Sequence, residues 1–422
     1  MSAPRSLFLT SCMHLVGMIN AQISYQWEQR ASFPGPGRWG AITFAINGKG
    51  YVVGGHNGTT TLSDAWMYDP STDTWLQRAS IPVGRRLGSG FTLNGKGFVS
   101  CGLSGSSTKH NDLWEYDPVV NSWTQRANFP STARYGTHGF ALGGYGYVGS
   151  GNIGTASGPF ANDMWRYDPT LNTWNAAPPL PGPTRYGTTS FTIAAKGYVH
   201  GGMDATLNFT NDLYEFDPIG GTWTPKPAMP GVGRSYAMVM PFAVDAVVAC
   251  GKDQFDYNMY DAYWYQPSTN TWTSIAAYPG QSGWGGASFQ LAGRAFGGLG
   301  QQLLPTISVH DDFWELVRTD ATSLGGDPEH HVAGREDLAA AEIHPNPAAA
   351  WDNVFVSCPD LPIKGGHELR ISDAQGRIVK TVFFIEGMMV ELTGLAPGIY
   401  SLSIANHADG LVRAQAKLVV AL

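Results

Sequence analysis

Short runs that alternate apolar and polar residues recur along most of the chain and are separated by turns rich in Gly, Pro, Asn and Asp. A period of two residues is typical of half-buried β-strands. Asn47-Gly48 and Asn94-Gly95 each separate two apolar runs. Asn-Gly in that position predicts a two-residue hairpin, because both residues must adopt positive φ. The pattern therefore predicts an all-β chain of short antiparallel strands.

A repeated unit organises these strands, and its clearest marker is a Trp at positions 27, 75, 123, 174, 223 and 272. Most units also carry a hairpin, a small-Gly doublet, a strand that begins with Asp, and an Asp-Pro turn. The predicted doublets are Gly54-Gly55, Cys101-Gly102, Ser150-Gly151, Gly201-Gly202, Cys250-Gly251 and Gly297-Gly298. The third strands are predicted to begin at Asp64, Asp112, Asp163, Asp212, Asp261 and Asp312. Successive Trp residues are 48–51 positions apart. Four short strands in a unit of about 50 residues are typical of propeller blades.

The unit resembles the kelch repeat, and the resemblance covers residues 22–318. It implies a six-bladed kelch-type β-propeller. No Trp strand follows the last third strand at Asp312, whereas the strand around Trp27 precedes the first unit. We therefore predict that the N-terminal strand completes the sixth blade and closes the propeller, which removes the open edges of the sheets.

The connections that follow the doublets vary in length and are predicted to form a binding face, because variable loops on a rigid scaffold usually carry binding residues. The longest are residues 152–162 and 299–311. Arginines and aromatic residues that precede the first strand of each unit are predicted to lie near the central axis. The candidate ligand-binding residues are Arg38, Arg86, Arg134, Arg185, Arg234, Trp39, Tyr135, Tyr186 and Trp284.

Two roles are open for these arginines. Guanidinium groups near one axis suit a carboxylate or another anion, and the aromatic rings would then offer stacking surfaces for sugars. Alternatively, each Arg serves the repeat by donating hydrogen bonds to carbonyls of the neighbouring blade. The repeated Asp residues are predicted to make local bonds to the backbone at strand starts and in turns.

The sequence contains no recognised catalytic or metal-binding pattern, and no cofactor is predicted. Each His of the repeat region falls in a different repeat, namely His56, His110, His138, His200 and His310. Cys101 and Cys250 occupy equivalent positions in the second and fifth units and are predicted to be small buried residues. Kelch folds also carry galactose oxidase, a copper enzyme, and a sialic-acid epimerase, so the resemblance alone leaves an enzyme open.

The N-terminus resembles a targeting segment. Arg5 precedes an apolar stretch from Leu7 to Ile19, which is too short to span a bilayer. A signal peptide over residues 1–21 is predicted, with cleavage after Ala21. The alternatives are a cytoplasmic N-terminus and a lipoprotein signal ending at Cys12.

The C-terminal part differs from the repeats. Residues 319–342 are charged and free of aromatic residues, and are predicted to be a linker. Residues 343–422 return to alternating strands, which predicts a small β-sandwich. Pro345-Asn346-Pro347, the hairpin at 373–379, the strand ending at Tyr400 and the terminal 417–420 segment resemble the type A sorting domain of the type IX secretion system.

That resemblance implies a Gram-negative bacterium, recognition of residues 343–422 by secretion machinery, and a secreted or outer-surface location. The net charge of −7 gives no basic footprint for nucleic acid, and no other apolar stretch is long enough to predict a membrane span. The function predicted is a non-enzymatic module that binds a glycan or protein on its long-loop face. The alternative is a sugar-active propeller enzyme of the oxidase or epimerase type.

Overall fold

The computed structural model describes residues 23–320, except 282, 292 and 305, and separate segments within 339–421. The predicted signal peptide, most of the predicted linker and Pro345-Asn346-Pro347 lie outside the described residues. The described residues form strands and turns and contain no helix, as the alternating pattern predicts. None of them forms a helix long and apolar enough to cross a membrane.

The strands of the repeat region are mostly short. In chain order they are β1 (Ile23–Gln29), β2 (Ile42–Ile46), β3 (Lys49–Val53), β4 (Ala65–Asp69), β5 (Thr74–Arg78), β6 (Ser89–Leu93), β7 (Lys96–Ser100), β8 (Leu103–Ser104), β9 (Thr108–Lys109), β10 (Leu113–Asp117), β11 (Ser122–Arg126), β12 (His138–Leu142), β13 (Tyr145–Thr155), β14 (Gly158–Asp168), β15 (Thr173–Ala177), β16 (Arg185–Tyr186), β17 (Thr189–Ile193), β18 (Lys196–Asp204), β19 (Phe209–Asp217), β20 (Thr222–Lys226), β21 (Met238–Pro241), β22 (Ala246–Ala249), β23 (Ala262–Gln266), β24 (Thr271–Ile275), β25 (Ala287–Leu291), β26 (Arg294–Gln302) and β27 (Ser308–Asp320).

Among the described residues, β8 and β9 pair as a two-stranded sheet, and the other strands of the repeat region build six larger antiparallel sheets, numbered in chain order. Sheets 1 to 3 have the orders β2-β3-β4-β5, β6-β7-β10-β11 and β12-β13-β14-β15. Sheet 4 has β17-β18-β19-β20 with β16 also on β18, and sheet 5 has β21-β22-β23-β24. Sheet 6 has β25-β26-β27-β1, so the N-terminal strand is its outer strand, with Trp27 opposite Leu316.

Each apolar core of the repeat region is shared by two neighbouring sheets, so that both faces of each sheet are covered. Sheet 1 packs on sheet 2 through Phe44 and Tyr116. Sheet 6 packs on sheet 1 in the same way, with Phe313 of β27 against Tyr68 of β4 at 4.9 Å between ring centroids. The repeated aromatic residues therefore hold the first and last sheets together as they hold consecutive ones.

The repeated Trp residues join the outer strands of neighbouring sheets. Each indole N–H donates to a backbone carbonyl just beyond the outer strand of the preceding sheet. The pairs are Trp27 to Ala276, Trp75 to Ala31, Trp123 to Ala79, Trp174 to Ala127, Trp223 to Pro178 and Trp272 to Pro227, at 2.7–3.0 Å. This bond explains why the repeat needs Trp at that position.

A cycle of backbone hydrogen bonds joins all six sheets just before their first strands. Six residues take part, each donating its N–H to the carbonyl of the one before, at 2.7–3.2 Å. They are Gly40, Leu87, Gly136, Gly187, Tyr236 and Gly285, and Gly40 donates to Gly285. All six have positive φ, between 54° and 69°, which costs a non-glycine residue conformational energy. We call these six residues the hydrogen-bonded ring.

Two details differ from the sequence predictions. The sixth doublet is Leu299-Gly300, because these residues have the positive φ angles of the other doublets and Gly300 donates to the Arg38 carbonyl. Gly297 and Gly298 instead belong to the regular part of β26. Residues 152–162 and 299–311 are largely strand rather than loop, because β13, β14, β26 and β27 continue beyond the doublets.

The C-terminal segments are also strands. They are β28 (Ala339–Ala340), β29 (Glu342–His344), β30 (Ala348–Ala349), β31 (Asn353–Ser357), β32 (His367–Ser372), β33 (Ile378–Phe384), β34 (Met388–Glu391), β35 (Gly398–Asn406) and β36 (Val412–Ala421). One sheet has the order β28-β36-β35-β32-β33, with β30 also on β36, and a second has β29-β31-β34. Leu369, Ile371, Leu402 and Ile404 are buried.

Candidate functional site

Four of the five predicted arginines are buried in ion pairs within their own sheets. Arg38, Arg134, Arg185 and Arg234 are at most 1% exposed. They pair with Asp64, Asp163, Asp212 and Asp261, at 2.5–2.7 Å. Each also donates to the carbonyl sixteen residues ahead, such as Arg38 to Gly54 at 2.9 Å. The structure thus favours the scaffold role for these four, with partners in the same sheet rather than in the neighbouring one.

The Asp residues that open the third strands serve these pairs. Asp64 accepts from Arg38 and from the indole of Trp66 at 2.7 Å, instead of making only local backbone bonds. Burial raises the pKa of Asp64, but hydrogen bonds and charge from Arg38 outweigh burial and hold the pKa below 3.8. The Asp-Pro turns do make the local bonds expected, as when Asp69 accepts from the Ser71 N–H at 2.9 Å.

Arg86 does not belong to this series. The scaffold position of sheet 2 is held by Arg85, which is fully buried and pairs with Asp112 at 2.5 Å. The sequence alignment on Arg86 was therefore one residue out of register. Arg86 instead takes the place that Trp39 has in sheet 1, with Leu87 in the hydrogen-bonded ring.

Arg86 and four aromatic residues lie next to the ring and surround a fifth aromatic residue, Tyr236, which belongs to the ring itself; we call this set of six the collar. It consists of Trp39, Arg86, Tyr135, Tyr186, Tyr236 and Trp284. The Arg86 guanidinium lies 5.2 Å from the Trp39 ring centroid. The aromatic centroids follow one another at 4.7–6.0 Å, from Trp39 through Trp284, Tyr236 and Tyr186 to Tyr135. The structure thus brings together five of the nine candidate residues predicted from the sequence.

The collar contains one cation, Arg86. Arg86 is only 9% exposed, and no carboxylate pairs with it among the residues described. Its Nη1 donates to Thr61 Oγ1 and to the Gly105 carbonyl, both at 2.9 Å. Burial lowers the pKa of Arg86 below its usual value, since the charged form has left water. A buried charge is costly unless it is paired, so this guanidinium is suited to an anionic ligand.

Further polar groups of the collar lack partners. Within the described part of the chain, Arg86 Nε, Trp39 Nε1, Trp284 Nε1 and the Tyr236 hydroxyl are buried without a hydrogen-bond partner. Most buried polar groups in proteins are paired. Four unpaired groups in one cluster therefore indicate that hydrogen bonds remain to be made there.

The tyrosines of the collar are neutral donors at neutral pH. Burial raises the pKa of Tyr186 to about 12, with smaller contributions from Tyr135 and Asp256. Burial also raises the pKa of Tyr135 and Tyr236. The Tyr135 hydroxyl accepts a hydrogen bond from Asn152 Nδ2 at 3.0 Å, which leaves its own proton free to donate.

The Tyr236 side chain lies across the hydrogen-bonded ring, at one end of a cavity. A Cβ atom on Gly136 would come within 2.7 Å of the Tyr236 hydroxyl, and one on Gly187 within 2.9 Å of its ring. Glycine at these two ring positions therefore makes room for the phenol. Sequence reasoning missed Tyr236. An aromatic residue two positions after Arg234 was nevertheless a visible signal, because Gly stands two positions after Arg38, Arg134 and Arg185.

The channel beyond Tyr236 has a volume of about 400 Å³. It is lined by the first strands of the six sheets, and many of its lining side chains are hydroxyls. Ser89 and Thr137 bond to each other there at 2.6 Å. The wall of the channel is therefore of mixed polarity, and its lining residues include no Asp, Glu, Lys or Arg.

The histidines and cysteines of the repeat region are spread over several sheets: His56 lies beside Trp39, with ring centroids 5.5 Å apart, and His138 lines the channel. His138 and His200 are 1% exposed, and burial lowers the pKa of each to about 3. Cys101 and Cys250 are buried and free, as predicted. The described residues contain no group of three or more His, Cys, Asp or Glu placed to hold a metal ion.

Comparison with known proteins identifies the repeat. Residues 44–81 and 185–230 match the Kelch motif. The solved structure of YjhT is similar to this chain with a TM-score of 0.58 and 16% sequence identity, over 69% of this chain and 99% of that one. Together with the all-β sheets, these similarities show a kelch-repeat β-propeller.

Curated relatives are similar over short segments. N-acetylneuraminate epimerase of Yersinia enterocolitica is 39% identical over 77 residues, which is 16% of this chain and 20% of that enzyme. N-acetylneuraminate epimerase of Haemophilus influenzae (strain PittEE) is 41% identical over 59 residues, or 13% of this chain and 16% of that enzyme. The chain thus spans a fifth or less of the length of these relatives.

Proposed function

We propose that the six sheets are the blades of a closed propeller, with β1 as the strand that closes the sixth. Three kinds of contact support this, because each links sheet 6 to sheet 1 as it links consecutive sheets. They are the shared aromatic core, the Trp75 bond to Ala31, and the Gly40 bond to Gly285. Closure places the collar at the axis.

We propose further that the collar binds the carboxylate of an acidic sugar. The observation that carries this is Arg86, a buried cation without a carboxylate partner among the described residues, set against Trp39. A guanidinium binds a carboxylate through two parallel hydrogen bonds, and neutral phenols such as Tyr135 can donate to sugar hydroxyls. The names of the curated relatives support this class, since N-acetylneuraminate is a carboxylated sugar.

Titration calorimetry with N-acetylneuraminate tests the proposal. Replacing Arg86 by Met should weaken binding about 10-fold or more, since a charge-assisted hydrogen bond contributes roughly 1.5–3 kcal/mol. Arg166→Met is the matched control, because Arg166 also stacks on an aromatic ring, Tyr145 at 4.4 Å, but lies outside the collar. Equal affinities of the wild type and Arg86→Met would refute the proposal.

The second candidate function is epimerisation of the same sugar. It rests on the names of the curated relatives, which match short segments of this chain. NMR exchange between the α and β anomers of N-acetylneuraminate tests it directly. Exchange accelerated by wild-type protein and abolished in Arg86→Met would favour the enzyme, whereas saturable binding without acceleration would favour the binding module.

We also propose that residues 343–422 direct export of the propeller to the cell surface or the medium. The support is the order of sorting-domain landmarks in the sequence. Removing these residues should retain a folded propeller in the periplasm of a type IX-competent host. Normal appearance of the truncated protein outside the cell would contradict this.

A further inference from the structure

One loop next to the collar displays two aromatic side chains to solvent. Residues 252–258 connect β22 to β23 in sheet 5, and within them Phe255 is 65% and Tyr257 58% exposed. Large exposed apolar side chains that cluster beside a binding site often belong to it.

The loop is held in shape by its own polar groups. Asp253 Oδ1 accepts from the N–H groups of Phe255 and Tyr257, at 2.9 and 3.0 Å. Lys252 pairs with Asp256 at 2.5 Å. Because these bonds fix the backbone, the two aromatic side chains are presented on an ordered support, which lowers the entropy lost on binding.

The same loop is continuous with the collar. The Lys252 ammonium lies 5.1 Å from the Trp284 ring centroid, and Lys252 pairs by backbone with Ser235, the residue before Tyr236. On its other side, Asn258 Nδ2 donates to the Gln301 carbonyl at 2.7 Å, which joins the loop to sheet 6. A ligand that leaves the axis over Trp284 therefore meets this loop next.

We propose that the ligand is an oligosaccharide whose terminal acidic sugar enters the collar and whose following sugars lie on Phe255 and Tyr257. This inference rests on the proposed function of the collar. Sugar rings have an apolar C–H face that packs against an aromatic ring, and their hydroxyls can bond the exposed phenol of Tyr257. Aromatic side chains with a polar tip supply much contact area with few rotatable bonds.

The test compares two probes, N-acetylneuraminate and the trisaccharide in which it caps lactose, by titration calorimetry of the full chain. Wild-type protein should bind the trisaccharide about 10-fold more tightly than the monosaccharide. The double variant Phe255→Ala/Tyr257→Ala should lose this difference and keep its monosaccharide affinity within about twofold. The control Val119→Ala/Ile219→Ala alters apolar residues that are even more exposed and lie in the Asp-Pro turns at the opposite ends of the strands, and it should change neither affinity.

The outcomes separate the two proposals. Equal affinities for both probes in wild-type protein, or a difference that survives in the double variant, overturn the extended site. An equal loss for both probes in the double variant also overturns it, because the loop would then serve only the collar. Trisaccharide binding without measurable monosaccharide binding, unchanged in Arg86→Met, overturns the proposed function of the collar and with it this inference, as does the absence of binding of either probe.

Discussion

Replacing Arg134 by Met removes a guanidinium and keeps most of the side-chain volume. Arg134 is 1% exposed and donates to both oxygens of Asp163, at 2.5 and 3.2 Å. It also donates to the carbonyls of Thr132 and Ser150, at 2.9 and 3.2 Å. The variant therefore leaves a carboxylate without its cation and two carbonyls without a donor.

The expected loss of stability follows from the unpaired carboxylate and the two carbonyls. Removing one partner of a buried ion pair destabilises by roughly 3–5 kcal/mol. The Asp163 side chain is 38% exposed and keeps the Trp165 indole donor at 3.0 Å, so water and the indole restore part of the loss. We expect a net decrease of about 3 kcal/mol in the free energy of unfolding, or about 6 °C in Tm for a domain of this size.

Arg86→Met provides the contrast, measured by thermal melts and urea unfolding at pH 7. Arg86 has no carboxylate partner among the described residues, so its removal leaves no unpaired carboxylate there. A Met side chain also packs well on an aromatic surface. Its stability should stay within about 1 kcal/mol of wild type or rise. Equal losses in the two variants would refute the division of the arginines into scaffold and collar.

Three further predictions concern stability. Tyr236→Phe removes a buried hydroxyl without a partner among the described residues. The free energy of unfolding should therefore rise by about 1 kcal/mol, while the affinity for N-acetylneuraminate falls. Unchanged values of both would contradict the assignment of Tyr236 to the collar. Burial lowers the pKa of His138 to about 3, so the unfolded state alone takes up its proton between pH 6.5 and 3. The contribution of His138 to the free energy of unfolding should therefore decrease as the pH falls through this window, by about 1.6 kcal/mol between pH 6.5 and 5, and His138→Gln should lose this share in urea titrations; identical pH dependence of variant and wild type would count against it. Deleting residues 23–29 removes β1 and the buried Tyr25, which should cost more than about 5 kcal/mol; an unchanged thermal midpoint would show that β1 does not complete sheet 6.

The sequence predicted those features that depend on local chemistry. The Asn47-Gly48 hairpin has the positive φ angles that its residues favour, 49° and 71°. The Asp69 turn makes the bond that its side chain favours. The repeated Trp was recognised by its spacing, although its role as a donor to the preceding sheet depends on contacts that spacing does not reveal.

The misassigned positions are those where long-range bonds override local preference. Leu87 has a φ of 58° although Gly88 stands next to it, because the carbonyl of Gly40 and the N–H of Gly136 fix which residue joins the ring. Leu299 has a φ of 60° although Gly298 precedes it, because the hydrogen bond from the Gly300 N–H to the Arg38 carbonyl fixes the position of the doublet. Because Arg85 and Arg86 are adjacent, the sequence alone does not show which of them is equivalent to Arg38.

The hydrogen-bonded ring has a consequence for how recognition arises in a repeated architecture. A ring of six glycines would be nearly symmetric, and a symmetric opening offers every ligand six equivalent orientations. Only Leu87 and Tyr236 depart from glycine in the ring, and only Arg86 departs from the aromatic and small residues beside it. These few residues make the six positions of the ring unequal, so that a ligand bound there would have a single preferred orientation.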